Sequence, residues 1–187
     1  MDARELLLSR ESRPLLTEPG PTDDQLSFLF QAALRAPDHA RLKPWRFIVI
    51  RNDARNKLGK LFAQAAQQDK PDLSEEALKR HTQLPLRAPV LLTLVCCHKD
   101  HPKVPVIEQR MSLATAAENM LLATHAQGLG GIWRTGTVCY HSIVAEGLQL
   151  SSDEEILGFL YLGTPSGNQR KRSELDPAGF VSEWGAE

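Results

Sequence analysis

The stretch Gly128-Leu129-Gly130-Gly131-Ile132-Trp133-Arg134-Thr135-Gly136 decides how this chain is read. It directly follows an apolar helical run, Met111 to Gln127. Two readings compete. In the first, Gly128 caps the helix and a buried strand follows, with Trp133 in the core. In the second, the glycines at 128, 130 and 131 adopt positive φ and bring the backbone close to a ligand. An indole, a permanent cation and a hydroxyl then stand at adjacent positions, the set of parts that a large, flat, anionic ligand needs. Taken alone the first reading is the simpler. The second gains weight because segments at Arg10 and Arg35 supply matching chemistry.

Composition bounds the problem. The chain has 187 residues, 42% hydrophobic, which suits one domain, 1–187, with a real core. Lys plus Arg is 22 against 23 for Asp plus Glu, a formal net charge of -1. A dedicated nucleic-acid binder normally shows a basic excess, so no nucleic-acid partner is expected. Three cysteines, two of them adjacent (Cys96, Cys97), make no disulfide framework and point to a reducing, cytoplasmic setting. Met1 to Leu8 lacks the order of a signal peptide, and no apolar run is long enough to span a bilayer, so no membrane partner is expected.

Outward from the opening stretch, the elements alternate irregularly. Asp2 to Arg10 reads as a short amphipathic helix with Leu6 and Leu7 inward. Thr22 or Asp23 caps a second helix, whose Leu26, Leu29, Phe30, Ala33 and Leu34 recur at helical spacing. Pro37 ends it. Trp45–Ile50 reads as a strand, Asp53 to Gln68 and Ser74 to Gln83 as helices, and the near-continuous apolar run Pro89–Cys97 as a strand buried on both faces. His141 to Leu148 is a short helix, and Ile156–Leu162 is another buried strand closed by Gly163-Thr164-Pro165. Three or four strands with helices and no βαβ repeat indicate an α+β fold. No G-x-G-x-x-G joins a strand to a helix and no Walker sequence is present, which argues against a Rossmann or P-loop site.

Two cationic segments complete the picture. Arg10-Glu11-Ser12-Arg13 ends the first helix, where a guanidinium beside a hydroxyl can grip a phosphate. An arginine favoured by the helix dipole is the plainer account of Arg10 and of Arg35. The loop Pro37-Asp38-His39-Ala40-Arg41-Leu42-Lys43-Pro44 then presents two acid–base side chains and two cations on a backbone stiffened by prolines.

In order and spacing, R-x-S near residue ten, a helix ending in R-x-P, a loop running into P-W-x-F-I-V-I, an apolar helix entering G-L-G-G-I-W-R-T, and a late strand ending in L-G-T-P resemble the flavin-dependent nitroreductase-like family, especially its short branch. The resemblance covers nearly the whole chain. It implies an α+β fold with a mostly antiparallel central sheet flanked by helices, and an intertwined homodimer holding one FMN per subunit at the interface. It makes Arg10, Glu11 (by its backbone), Ser12, Arg35, His39, Trp133, Arg134 and Thr135 cofactor-binding residues. It places Ala123, Thr124, His125, Ala126, Gln127 and Gly128 at the border of an NAD(P)H site.

The implied activity is that of an FMN-dependent NAD(P)H oxidoreductase with a small-molecule acceptor such as a nitroaromatic or quinone. No protein residue acts as nucleophile, because the flavin carries the redox chemistry. Lys43 and Arg35 are candidates to face charge developing on the reduced ring, and Arg172, in the run Arg170-Lys171-Arg172, is a second candidate for the phosphate. The same family fold also implies alternatives: a non-catalytic flavin binder or redox sensor, or a dehalogenase, a flavin-fragmenting enzyme or an amide dehydrogenase.

The chain departs from its relatives at Glu11, where a second arginine is usual, and at Asp38, His39, Arg41 and Lys43, where many larger members carry serines and amides. The run Cys96-Cys97-His98-x-x-His101 has irregular spacing and no second cluster, so no metal is expected.

Overall fold

A computed structural model describes residues 1–168 and 175–185. The chain folds around β3 (Val90–Cys97) and β5 (Glu154–Pro165). β5 pairs along one edge with β3 and along the other with β4 (Gly130–Arg134), while β3 pairs in turn with β2 (Trp45–Arg51). The two-residue β1 (Leu16–Thr17) adds to the far end of β5. Every ladder is antiparallel, as expected for this α+β class. Among the described residues the sheet has five strands, one more than the upper count read from sequence, and the strand not read there is β1.

Every residue of β3 is buried, which explains why it reads as an unbroken apolar run. Leu92, Leu94 and Cys96 pack against α2 (Asp23–Ala33) and α5 (Val106–Ala126). Leu91 faces the other way, toward Leu58 and Phe62 of α3 (Ala54–Asp69) and Val144 of α6 (Ser142–Gly147). Two apolar layers thus share one sheet. Phe62 meets Phe159 edge to face at 5.4 Å in the second.

Register in β5 depends on a bulge. Leu94 pairs with Gly158 but Val95 pairs with Ile156, so Leu157 is an extra residue. Its effect is to flip the faces. Ile156 belongs to the α3 layer, yet so do Phe159 and Tyr161, three and five residues later. Gly158 sits at φ 154°, and a β-carbon there would overlap Trp133 Nε1.

Helix starts follow the sequence closely. Thr22 caps α2 through a reciprocal capping box with Gln25, and Ser74 caps α4 (Glu75–Gln83). The helix before the glycines is longer than its apolar run suggests. It begins at Val106, and its buried Gln109 exchanges hydrogen bonds with both backbone groups of Lys99 at 2.8 Å. The first helix, α1 (Ala3–Ser9), corrects one expectation: Leu6 is half-buried, but Leu7 is 64% exposed. Among the described residues no helix is long and apolar enough to cross a membrane.

Candidate functional site

In its backbone the opening stretch follows the first of its two readings, a helix-ending glycine and then a strand with Trp133 packed on the core. Gly128 adopts φ 74° beyond the C-terminus of α5, as a helix-ending glycine does. Gly130 and Gly131, however, are ordinary extended residues of β4, which corrects the expectation of positive φ there. They are glycines for space. A β-carbon at Gly130 would lie 2.6 Å from Leu16 Cδ2, and one at Gly131 would lie 3.0 Å from Leu121 Cδ2. This close fit docks the segment after α1 onto β4, where the Arg13 amide donates to Gly131 O at 3.0 Å.

The docked segment carries the R-x-S motif. Arg10 caps α1 and pairs with Glu118 of α5 at 3.2 Å. Glu11, where an arginine is usual, holds Arg13 at 2.7 Å, and both side chains are 16% exposed. Arg13 also donates to Gly167 O at 3.3 Å. Ser12 lines a small cavity of about 120 Å³ bounded by Glu11, Arg13 and Ser166.

Strand alternation then separates Trp133 from Arg134. Trp133 packs toward the α5 layer, its Nε1 buried against Gly158 without a partner among the described residues. Arg134 lies on the opposite face with its guanidinium 5.5 Å from the centre of the Tyr161 ring. Its Nε is buried and also has no partner among the described residues. Arg134 and Arg87 together line two openings. One, of about 500 Å³, is walled by Leu15, Thr17 and Ser166. The other, of about 330 Å³, is floored by Phe62, Phe159 and Tyr161. Burial pushes the Tyr161 phenol up to about 12 while the two arginines pull it down, so it stays neutral near pH 7. Thr135 is exposed at the strand end.

Sequence reasoning did not single out Arg87. It stands in the turn before β3, where Leu86-Arg87-Ala88-Pro89 resembles any connector. Only the fold brings it beside Arg134.

A second group gathers elsewhere. His39 Nδ1 lies 2.5 Å from Glu108 in the first turn of α5. The Lys43 amide donates to Asp38 Oδ2 at 2.7 Å. Ala40, Arg41 and Lys43 have φ values of 59°, 55° and 51°, a left-handed conformation costing of order 1 kcal/mol or more for each non-glycine residue. Arg35 is exposed at the end of α2. At a helical rise of 1.5 Å per residue, Glu108 and Glu118 are about 15 Å apart along α5. The His39 group and the Arg10 group therefore occupy separate stations on one helix, and a single chain does not bring them together.

The segment 123–128 is largely committed to structure. Ala123 and Thr124 are buried, and the Thr124 hydroxyl donates to Met120 O at 2.7 Å. His125 Nε2 meets Ser9 Oγ at 2.8 Å, and the Gln127 amide donates to Ala123 O and Gln25 O. Ala126 and Gly128 are exposed. Arg172, with Arg170 and Lys171, lies outside the described residues.

Comparison with known proteins agrees with this architecture. The chain is 40% identical over 186 residues to the Escherichia coli K12 protein "Putative NAD(P)H nitroreductase YdjA", covering 97% of this chain and 99% of that one. Among solved structures it resembles a nitroreductase-like family protein from Bacillus cereus, with TM-score 0.84 at 19% identity over 100% of this chain and 97% of that one. It also resembles a nitroreductase with bound FMN from Bacteroides fragilis, with TM-score 0.75 at 21% identity over 98% and 99%. A sequence model of the Nitroreductase family matches residues 9–164, so both the fold and the sequence place this chain in the nitroreductase family.

Proposed function

We propose that this protein is an FMN-dependent NAD(P)H oxidoreductase that reduces a nitroaromatic, quinone or similar small acceptor. The observation that carries the reading is Arg134: a partly buried cation whose Nε has no partner among the described residues, opening with Arg87 onto a cavity beside the docked R-x-S segment. A cation held away from water without a carboxylate favours an anion supplied from outside. FMN offers a phosphate dianion, and when bound it supplies the hydride chemistry that no side chain here can perform. Arg10, Ser12 and Arg134 would hold that phosphate end, with the Glu11 backbone beside them. Trp133 and Thr135 would bound the ring.

The strained loop at 40–43 and the separation along α5 support a site shared between two copies. Arg35 and His39 of one subunit would complete the groove begun by Arg10 to Ser12 and Trp133 to Thr135 of the other. Lys43 is our choice for the cation facing the reduced ring. The face that would meet the second copy includes Leu7, Ile107 and Met111, which are 64%, 51% and 57% exposed in one chain. The NAD(P)H site is proposed at the exposed turn of Ala126 to Gly128, with Ala123 to His125 and Gln127 shaping the backbone behind it.

The purified protein is tested for a flavin absorption spectrum, for its mass in solution, and for oxidation of NADH and NADPH with a nitroaromatic or quinone acceptor. A hydrogen bond to a charged group contributes about 1.5–3 kcal/mol, so Arg10→Ala with Arg134→Ala weakens FMN by about 100-fold or more. Full retention of flavin by that double variant refutes the assignment. A yellow protein that oxidises neither nucleotide refutes the enzyme reading and leaves a flavin binder.

A further inference from the structure

The sequence run Cys96-Cys97-His98-x-x-His101 has no role in the flavin reading, and the fold takes it apart in an informative way. Cys97 points to the α3 face of the sheet, where its thiol donates to Glu154 Oε1 at 3.3 Å. His101 turns back on its own loop, and its Nδ1 accepts from the Lys103 amide at 3.2 Å. Cys96 and His98 remain together, two residues apart on the other face. There the strand register sets Glu155 directly across from Cys96, and the His98 amide extends the pairing by donating to Asp153 O at 2.8 Å. The irregular spacing that argues against a metal in sequence thus resolves into a Cys-x-His pair completed by a cross-strand carboxylate.

We propose that Cys96, His98 and Glu155 bind a divalent ion of the zinc class. One sulfur, one imidazole nitrogen and one carboxylate oxygen from these residues all lie within 4.8 Å of one another. Bonds of about 2.0–2.3 Å in a tetrahedral zinc site put neighbouring donors about 3.5 Å apart, so modest side-chain rotations close the set. His98 supplies a second, independent sign. Its Nδ1 is buried with no partner among the described residues, while its Nε2 lies 3.1 Å from Glu155 Oε1. Nε2 is therefore the nitrogen that faces the carboxylate donor, and Nδ1 is left for the outer-shell partner that a ligating imidazole takes. A mixed S, N, O donor set suits zinc better than the hard cations.

Charge balances as well. On binding, the Cys96 S–H bond breaks, a sulfur–metal bond forms, and one proton leaves to solvent. The resulting thiolate and the Glu155 carboxylate neutralise the ion's two positive charges. Arg110 now holds Glu155 through Nε and Nη2 at 2.5 and 2.9 Å. Its side chain is 44% exposed, so the ion can displace it into water. The bound ion would fasten the end of β3 to the start of β5, at the opposite end of β5 from the Gly130–Gly163 pair. The proposal is therefore independent of the flavin reading.

The test is titration of the full chain with Zn²⁺ against a chromophoric chelator, with calorimetry in two buffers of different ionisation heat. One ion binds per chain and about one proton is released per ion. Outer-shell partners alone are worth about 10–100-fold in metal affinity, so loss of a ligand in Cys96→Ser or His98→Gln lowers affinity by at least about 100-fold. His98→Gln serves where the buried serine variant folds poorly. His101→Gln leaves affinity unchanged, and Arg110→Ala binds more tightly because its competing cation is gone. No stoichiometric binding overturns the proposal. So does undiminished affinity in His98→Gln, zinc uptake without proton release, or unchanged or weaker binding in Arg110→Ala.

Discussion

The two ends of β5 handle charge in opposite ways. At its start, Glu154 is gripped by Arg46 through two hydrogen bonds of 2.5 and 2.7 Å, and Glu155 is gripped by Arg110 and approached by His98. Each carboxylate there has a cation of its own. Toward its far end, Arg134 and Arg87 flank Tyr161 and have no carboxylate partner among the described residues. The satisfied end is built to hold strands together. The unsatisfied end keeps the Arg134 charge partly out of water beside the exposed Arg87, which makes sense when an anion is to be supplied by a ligand. The contrast teaches that a paired arginine and an unpaired one, equal in sequence, belong to different economies of the same strand.

The most direct way to break this contrast is to remove one arginine from each end. Arg134→Met should weaken FMN by at least about 10-fold, the value of one charge-assisted hydrogen bond, while the cofactor-free protein keeps its stability within about 1 kcal/mol. Arg46→Met should do the reverse. Flavin binding is retained, and unfolding by urea shows a loss of about 2–3 kcal/mol, because Glu154 is only 10% exposed and is left without its partner. If both variants lose flavin equally, or both lose stability equally, the two ends are not different in kind.

Much of this was legible beforehand, and the reasons are local. β2, β3 and β5 announce themselves as apolar runs, and the capping residues Thr22 and Ser74 mark helix starts through bonds made within one turn. The R-x-S and G-G-I-W-R motifs were visible as residues. What they were for was only partly visible. Gly130 and Gly131 are small because Leu16 and Leu121 press on them from distant segments, a tertiary fact that backbone preference does not report. Arg87 becomes interesting only beside Arg134. Leu7 looked inward by periodicity, but α1 is short and contributes no buried residue. Least legible was the bulge at Leu157. It exchanges the faces of β5, so that Glu155 sides with Cys96 while Tyr161 sides with Arg134, and period-two reasoning through the bulge assigns one of them wrongly.

That bulge is also where the comparison can be sharpened by stability. Gly158→Ala places a β-carbon on Trp133 Nε1 at a backbone angle that side chains rarely adopt. The expected loss is about 3 kcal/mol, read as a lowered midpoint in chemical denaturation. A variant as stable as the wild type would show that the face exchange does not depend on the close fit of Trp133. The satisfied end then has its own signature in acid. Arg46 holds the Glu154 carboxyl down to about 2, from an ordinary value of 4.5. A carboxylate lowered in the folded state stabilises fully above its ordinary value and loses that contribution as pH falls toward its folded one. Between pH 4.5 and 2 the wild type should therefore lose about 2 kcal/mol that Glu154→Gln does not lose. Parallel stability profiles for the two proteins over that range would contradict the assignment.

The smallest expected effect probes an apparent exception. The loop at 38–43 runs into β2 beside the satisfied end, where Cys97 N donates to Pro44 O at 3.0 Å, yet its backbone is strained at three non-glycine residues. Strain of this kind persists where surrounding contacts impose it, and it gathers at ligand sites. Glycine adopts φ near 59° without penalty, so Ala40→Gly relieves part of the cost and offsets it against a more flexible unfolded chain. The net gain in stability is about 0.5 kcal/mol or less. If the loop is held in place to present His39 to a flavin shared between two copies, the same change weakens FMN by about 2- to 5-fold, the equivalent of 0.4–1 kcal/mol. If FMN affinity is untouched while stability rises, the strain belongs to packing against α5 through the His39–Glu108 contact and not to the presentation of a ligand site.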